Sequence, residues 1–236
     1  MRGFAAQNHT MQKIISSMAT RLLLAELAEQ WQQATGIAAV IESVGGLDAA
    51  KRVQAGEAFD GVVLAGDAID KLIASGHVVA GSRVDLVSSS VAVAVKAGAL
   101  LPDISSEAAL RSAVLAAPTI GYSTGPSGVA IIALFERWGL TQTLQSRIVQ
   151  TPPGVPVGTL VARGELALGF QQLSELMYLP GISVVGKLPE PVGITTIFSI
   201  AACATVKNRN ELSRFAAFMA SSSAVQVKLK HGMQAV

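Results

Sequence analysis

The feature that most constrains the fold is the regular alternation of short apolar runs with segments of helical periodicity. In the N-terminal part of the chain, apolar runs at 13–17, 38–43 and 61–65 are each followed by a predicted helix. The helices are predicted to end at glycines, which accept the left-handed conformation common at helix C-termini. Such alternation is typical of a parallel β-sheet with helices on both of its faces. The sequence therefore predicts an α/β fold.

A second series of strands and helices begins after Ser88-Ser89-Ser90, and the motif Gly-Glu-x-x-x-Gly occurs once in each half, at 56–61 and 164–169. In both halves it lies between a predicted helix and an apolar strand, which suggests two similar units. The predicted fold class is thus α/β with two doubly wound lobes and a ligand cleft between them. Lobe I is predicted to be discontinuous, with residues 1–90 and 195–236, and lobe II to contain residues 91–194.

Composition and charge exclude several function classes. The 236 residues carry a net charge of +2 and no dense cluster of Lys and Arg, which argues against nucleic acid as a partner. The single cysteine, Cys203, excludes an internal disulfide. His9, His77 and His231 have no zinc-site spacing to other potential ligands. We therefore expect neither a metal nor a cofactor.

The sequence lacks an apolar stretch of the roughly 18 to 20 residues that span a bilayer, so no transmembrane segment is predicted. Residues 1–10 also lack the pattern of a signal peptide. If the chain is complete as written, we expect a cytoplasmic protein, and if a leader has been removed, a periplasmic one. We expect a monomer.

The segment Ser123-Thr124-Gly125-Pro126-Ser127-Gly128 stands between an apolar strand and a helical segment that begins at Val129. Proline is favoured at the first position of a helix, and unpaired backbone N–H groups at such a position attract anions. The segment has no lysine, which distinguishes it from the phosphate-binding loop of nucleotide hydrolases. It predicts a turn that either binds an anion or only reverses the chain.

In an open parallel sheet, ligands bind beyond the carboxyl ends of the strands. The residues predicted there are small or carry neutral donors, and the candidate ligand-binding set is Ser17, Met18, Ala19, Thr20, Arg21, Gly45, Gly46, Gly125, Pro126, Ser127, Pro156, Val157, Gln171 and Gln172. Arg21 is the one fixed positive charge among them. Hydroxyls, amides and helix N-termini of this kind suit a small anion that is not fully neutralised.

Several of these motifs resemble those of the type II periplasmic solute-binding proteins, and within them the molybdate-binding group. The resemblance runs from Lys13 over nearly the whole chain, and its residues are Gln33–Gly36, Gly45-Gly46, Val53–Glu57 with Phe59-Asp60, Asp70–Leu72 and Ala162–Glu165 before Gly169-Phe170. The chain departs from the group at Ser17–Thr20, where Ala and Ser are usual, and at Gln171-Gln172, where an aromatic residue is common.

The resemblance implies two α/β lobes that close on an anion by a hinge motion. It implies a solute-binding protein of an ABC-type uptake system, with the transporter's membrane subunits as partners and an oxyanion or a di- or tricarboxylate as ligand. The same group looks like it includes aconitate isomerases, which implies an alternative, a cofactor-independent isomerase that needs a base. Asp67, Glu42 and Glu175 are the candidate bases. A ligand-sensing module that acts on a partner protein is a third interpretation.

Overall fold

The computed structural model describes residues 11–236. The strands are β1 (Gln12–Ser17), β2 (Ala39–Val44), β3 (Gly61–Ala65), β4 (Val84–Lys96), β5 (Ile120–Tyr122), β6 (Ile148–Gln150), β7 (Leu168–Gln172), β8 (Ile182–Lys187), β9 (Thr195–Ala202) and β10 (Met233–Ala235). The α-helices are α1 (Arg21–Thr35), α2 (Gly46–Gln54), α3 (Gly66–Ala74), α4 (Glu107–Ala116), α5 (Pro126–Arg137), α6 (Thr141–Leu144), α7 (Val157–Arg163), α8 (Leu173–Leu176), α9 (Arg209–Ala220) and α10 (Val225–Lys230). Short 3-10 turns lie at Met18–Thr20 and Ser222–Ala224. Residues 1–10, with His9 and the beginning of the predicted lobe I, are outside the described residues.

The strands form two groups that share one long strand. In the first group β1 pairs in parallel with β2 and β3, and β9 lies antiparallel between β3 and β4. In the second group β5 pairs in parallel with β6 and β7. Residues 84–90 of β4 pair with β9, and residues 91–96 pair with β7 and β8. We call the two groups, with the helices packed on them, the first and the second lobe, and the predicted two-lobed α/β fold is confirmed.

The chain passes between the lobes at two adjacent places. It enters the second lobe along β4 and returns just before β9, and the Val91 amide donates a hydrogen bond to the Ile194 carbonyl at 2.9 Å. The predicted lobe boundaries at 90/91 and 194/195 stay a prediction.

Two details of the predicted strands were wrong. Ser88–Ser90 lie inside β4 instead of preceding it, because each of these serines pairs with β9 and the backbone continues extended through them. Strand β8 was not predicted, and it covers the second half of β4 with residues that are all only partly buried or exposed.

Each lobe has its own apolar core, and each core contains an aromatic group. In the first lobe Trp31 packs against Phe215 and Phe218 at centroid distances of 5.5 Å. In the second lobe Phe135 contacts Phe170 edge-on at 5.7 Å. These cores hold the strand ends, and with them the loops, in fixed positions.

Residues 11–236 contain no helix that is both long and apolar enough to cross a membrane. The same residues contain no group of three or more His, Cys, Asp or Glu side chains placed to hold a metal ion. Cys203 is buried with a free thiol.

Candidate functional site

A cleft of about 570 Å³, open to solvent, lies between the lobes at the carboxyl ends of the parallel strands. The first lobe contributes Ser17, Met18, Ala19, Gly45, Gly46 and Phe198 to its lining, and the second contributes Ser123, Thr124, Gly125, Pro126, Ser127, Thr151, Pro152, Gly154, Val155, Pro156, Gln171, Gln172 and Glu175. Of these described lining residues, only Glu175 has an ionisable side chain.

Several helices begin at the cleft. Helix α2 begins at Gly46 and α5 at Pro126, and their N-caps, Gly45 and Gly125, line the cleft with them. Neither N-cap residue has a side chain that could satisfy the first amides of its helix. The positive ends of two helix dipoles therefore face the cleft, one from each lobe, and favour negative charge between them.

The turn before α5 is held rigidly. The hydroxyls of Ser123 and Ser127 are 3.0 Å apart, and the Gly125 amide donates to Ser123 Oγ at 3.3 Å. A Cβ atom on Gly128 would lie 1.7 Å from the Ser123 carbonyl oxygen, so no other residue fits position 128 without moving this turn. The close approach fixes both hydroxyls at the edge of the cleft.

Two buried polar atoms of the cleft lining have no hydrogen-bond partner among the described residues. They are the hydroxyl of Ser17, a residue that is 7% exposed, and Oε1 of Gln172. Gln172 Nε2 donates to Thr196 Oγ1 at 2.9 Å. Because the Thr196 hydroxyl can also donate, a half-turn of the amide would keep this bond and free Nε2. Buried polar atoms rarely stay unpaired, so both side chains are suited to contact a ligand.

Glu175 and Gln171 form the polar centre of the cleft. Gln171 Nε2 donates to Glu175 Oε1 at 2.8 Å, while Gln171 Oε1 accepts from the Gly158 amide at 3.4 Å. Removal from water raises the pKa of Glu175 to about 7, and the hydrogen bond from Gln171 opposes this rise. The carboxyl group therefore exchanges its proton in the neutral pH range.

The structure brings most of the predicted ligand-binding residues together and leaves three outside the lining. Thr20 is buried, and its hydroxyl donates to the Ser17 carbonyl at 3.2 Å. Val157 packs in an apolar cluster behind the cleft. Arg21 is exposed at the beginning of α1. Ligand contact by the remaining residues stays a prediction.

The other two candidate bases lie outside the cleft lining. Glu42 is on β2 and forms an ion pair with Arg52, whose hydrogen bonds hold the pKa of Glu42 below its ordinary value. The Asp67 side chain is 73% exposed, with Lys71 Nζ at 3.9 Å. Of the three candidate bases, Glu175 alone lines the cleft.

Several lining residues carry no local sequence signal that assigns them to the cleft. Thr151, Pro152, Gly154 and Val155 belong to the loop after β6, and Phe198 lies inside β9. The Pro-Pro-Gly sequence of this loop predicts a turn but not its position over the cleft.

Comparison with known proteins identifies the family. The sequence profile described as bacterial extracellular solute-binding protein matches residues 13–234. An aconitate isomerase from Pseudomonas sp. is 36% identical, and the match covers 98% of this chain and 90% of that protein.

Two solved structures with low sequence identity share the fold. The periplasmic molybdate-binding protein of Azotobacter vinelandii is 21% identical with a TM-score of 0.77, over 94% of this chain and 98% of that one. The tungstate ABC transporter protein of Geobacter sulfurreducens is 14% identical with a TM-score of 0.73, over 92% and 97%. From the profile match, the chain belongs to the family of bacterial extracellular solute-binding proteins.

Proposed function

We propose that the protein binds a small anion, an oxyanion or a di- or tricarboxylate, in the cleft between its lobes, as the solute-binding component of an ABC-type uptake system. The observation that carries this proposal is the unpaired, buried hydroxyl of Ser17 in a cleft where α2 and α5 begin. An anion would accept hydrogen bonds from this hydroxyl and from the helix amides. Family membership supports the same function.

The test is a calorimetric titration with molybdate, sulfate, citrate and trans-aconitate as probes. Loss of one good hydrogen bond to an anion costs about 1.5 to 3 kcal/mol, which is about tenfold or more in affinity. We therefore expect Ser127→Ala and Ser17→Ala each to weaken the probe that binds by at least that factor. Ser112→Ala is the matched control, because Ser112 is exposed on α4 and bonds only to the Ala108 carbonyl. Unchanged affinity in both cleft variants would place the site elsewhere.

A second candidate function is isomerisation of an unsaturated di- or tricarboxylate. It is favoured by the 36% identity to an aconitate isomerase and by the single carboxyl group of the cleft lining, Glu175. In such a reaction a base removes a proton from the carbon next to the double bond. The electron pair of the broken C–H bond forms a new double bond, and a proton returns to the carbon at the far end of the old one. A carboxyl group with a pKa near the working pH is suited to this transfer.

Proton NMR in heavy water separates the two functions. Incubation with cis- and trans-aconitate would introduce deuterium into the substrate if the protein is an isomerase, and Glu175→Gln should abolish this exchange. Glu136→Gln is the control, since Glu136 is exposed on α5 away from the cleft lining. Tight binding with no exchange would reject the isomerase and retain the binding protein.

A further inference from the structure

The cleft combines features that favour an anion with one acidic side chain. The beginnings of α2 and α5 and the free hydroxyl of Ser17 favour negative charge, while an ionised Glu175 would repel it. Of the described lining residues, none is a cation that could neutralise the carboxylate. A bound anion and an ionised Glu175 therefore repel each other, and protonation of Glu175 removes this repulsion.

The hydrogen bonds around Glu175 determine which oxygen such a proton would occupy. The Gly158 amide donates to Gln171 Oε1, which turns Nε2 of the same amide toward Glu175. Glu175 Oε1 therefore accepts from Gln171, and Oε2 makes no hydrogen bond to another described residue. A protonated Oε2 would be a donor in the cleft, where the ligand's oxygen atoms are the available acceptors.

We propose that the cleft takes up one proton together with its anionic ligand, and that this proton resides on Glu175 Oε2 and is donated to a ligand oxygen. The inference rests on the proposed anion-binding function and adds to it the chemistry of recognition. The ligand must offer an ionised oxygen at Glu175, and the proton comes from solvent. The only bond that forms on the protein is the O–H bond of Glu175, and no bond of the ligand breaks.

The other titratable groups near α8 either contact residues other than Glu175 or are exposed. On β4, Asp85 is bonded to Arg83, and Lys96 Nζ lies against Gly164. Lys187 at the end of β8 is exposed. Tyr178, in the turn after α8, donates its hydroxyl to the Lys230 carbonyl at 2.6 Å.

The remaining elements around Glu175 add little charge. The 3-10 turn at 18–20 and strands β7 and β9 contain no titratable residue. Arg163 at the end of α7 is 65% exposed, and its nearest carboxylate is Glu165 at 3.8 Å. On the first lobe, Glu26 forms an ion pair with Lys230 and a hydrogen bond with His231. Ligand binding is therefore linked to the protonation of Glu175 more strongly than to any of these described groups.

The test is calorimetric titration of the full chain at pH 6 and pH 8, with trans-aconitate and molybdate as probes. At pH 8 it is repeated in two buffers of different ionisation heat, so that the number of protons taken up can be calculated. We expect uptake close to one proton per ligand at pH 8 and about tenfold weaker binding one pH unit above the pKa of Glu175.

Glu175→Gln gives the sharpest outcome, because glutamine is a neutral side chain of the same size that keeps a donor. The variant should take up no proton, bind with the same affinity at both pH values, and bind about tenfold more tightly than the native protein at pH 8. Glu136→Gln should behave like the native protein. Circular dichroism at both pH values checks that each variant is folded.

The outcomes separate the inference from the function on which it rests. A probe that binds without proton uptake, or a Glu175→Gln variant that keeps the pH dependence, overturns the inference and leaves anion binding intact. No binding of any probe by the native protein overturns the proposed function, and the inference with it.

Discussion

Three glutamates show how the same side chain acquires opposite properties in two regions of this molecule. At the surface of the first lobe, Glu42 and Glu57 share Arg52, and hydrogen bonds from Arg52 lower the pKa of both carboxyl groups. In the cleft, Glu175 has only the neutral amide of Gln171, and removal from water raises its pKa to about 7. Of these three carboxyl groups, the one able to exchange a proton near neutral pH is therefore the one that is removed from water and has no cation beside it.

The largest expected effect is on the pH dependence of stability. Between about pH 4.5 and 7 the folded protein keeps a proton on Glu175 that the unfolded chain has already released. Stability should therefore fall as the pH rises through this range, by on the order of 3 kcal/mol. Glu175→Gln should remove this fall, and the variant should be more stable than the native protein at pH 8. Urea unfolding at pH 5 and pH 8 measures both, and a variant less stable at pH 8 would contradict the comparison.

The next largest expected effect is a change in the pKa of Glu175 when the side-chain amide of Gln171 is removed. Because the hydrogen bond from Gln171 lowers the pKa of Glu175, Gln171→Ala should raise that pKa further. Carbon-13 NMR of the glutamate carboxyl groups would follow the titration midpoint. Gln33→Ala is a suitable control, since Gln33 is exposed and donates to Glu29 on the surface of α1. A midpoint that falls in Gln171→Ala would show that the amide does not stabilise the ionised form.

The smallest expected effect is the change in stability caused by Glu42→Gln at the surface of the first lobe. Because its pKa is lowered on folding, Glu42 stabilises the protein above its ordinary pKa, and this contribution is lost as the pH falls. Glu42→Gln should therefore be slightly less stable than the native protein at pH 8, opposite in sign to Glu175→Gln. It should leave probe affinity unchanged. A change of affinity as large as that in Ser127→Ala would show that this surface is coupled to the cleft.

The fold could be predicted from the sequence because alternating periods of apolar residues mark strands and helices, and small polar residues mark their ends. For the same reason, Ser17, Gly45, Gly46 and Ser127 could be assigned to the cleft from their places after strands. The distinction among carboxyl groups could not be predicted. Position along the chain does not show whether an arginine lies beside a carboxylate, as Arg52 does beside Glu42.

Strand β4 and Arg21 show the limit of local patterns. Three consecutive serines resemble a linker, yet pairing with β9 keeps them extended. The position of Arg21 soon after a strand predicts that it binds the ligand, but in the structure Arg21 is exposed at the beginning of α1 and is absent from the cleft lining, so this contact stays a prediction. Both outcomes depend on tertiary contacts that sequence spacing does not encode.

Gly128 has a consequence for how this protein can vary. Its missing side chain leaves room for the Ser123 carbonyl, so even the added methyl group of Gly128→Ala must displace the turn. We expect that variant to lose probe affinity although residue 128 is outside the cleft lining, and titration beside Ser127→Ala would test this. Sequence drift in this turn is therefore most restricted at position 128, which has no room for any amino acid with a side chain unless the turn itself moves.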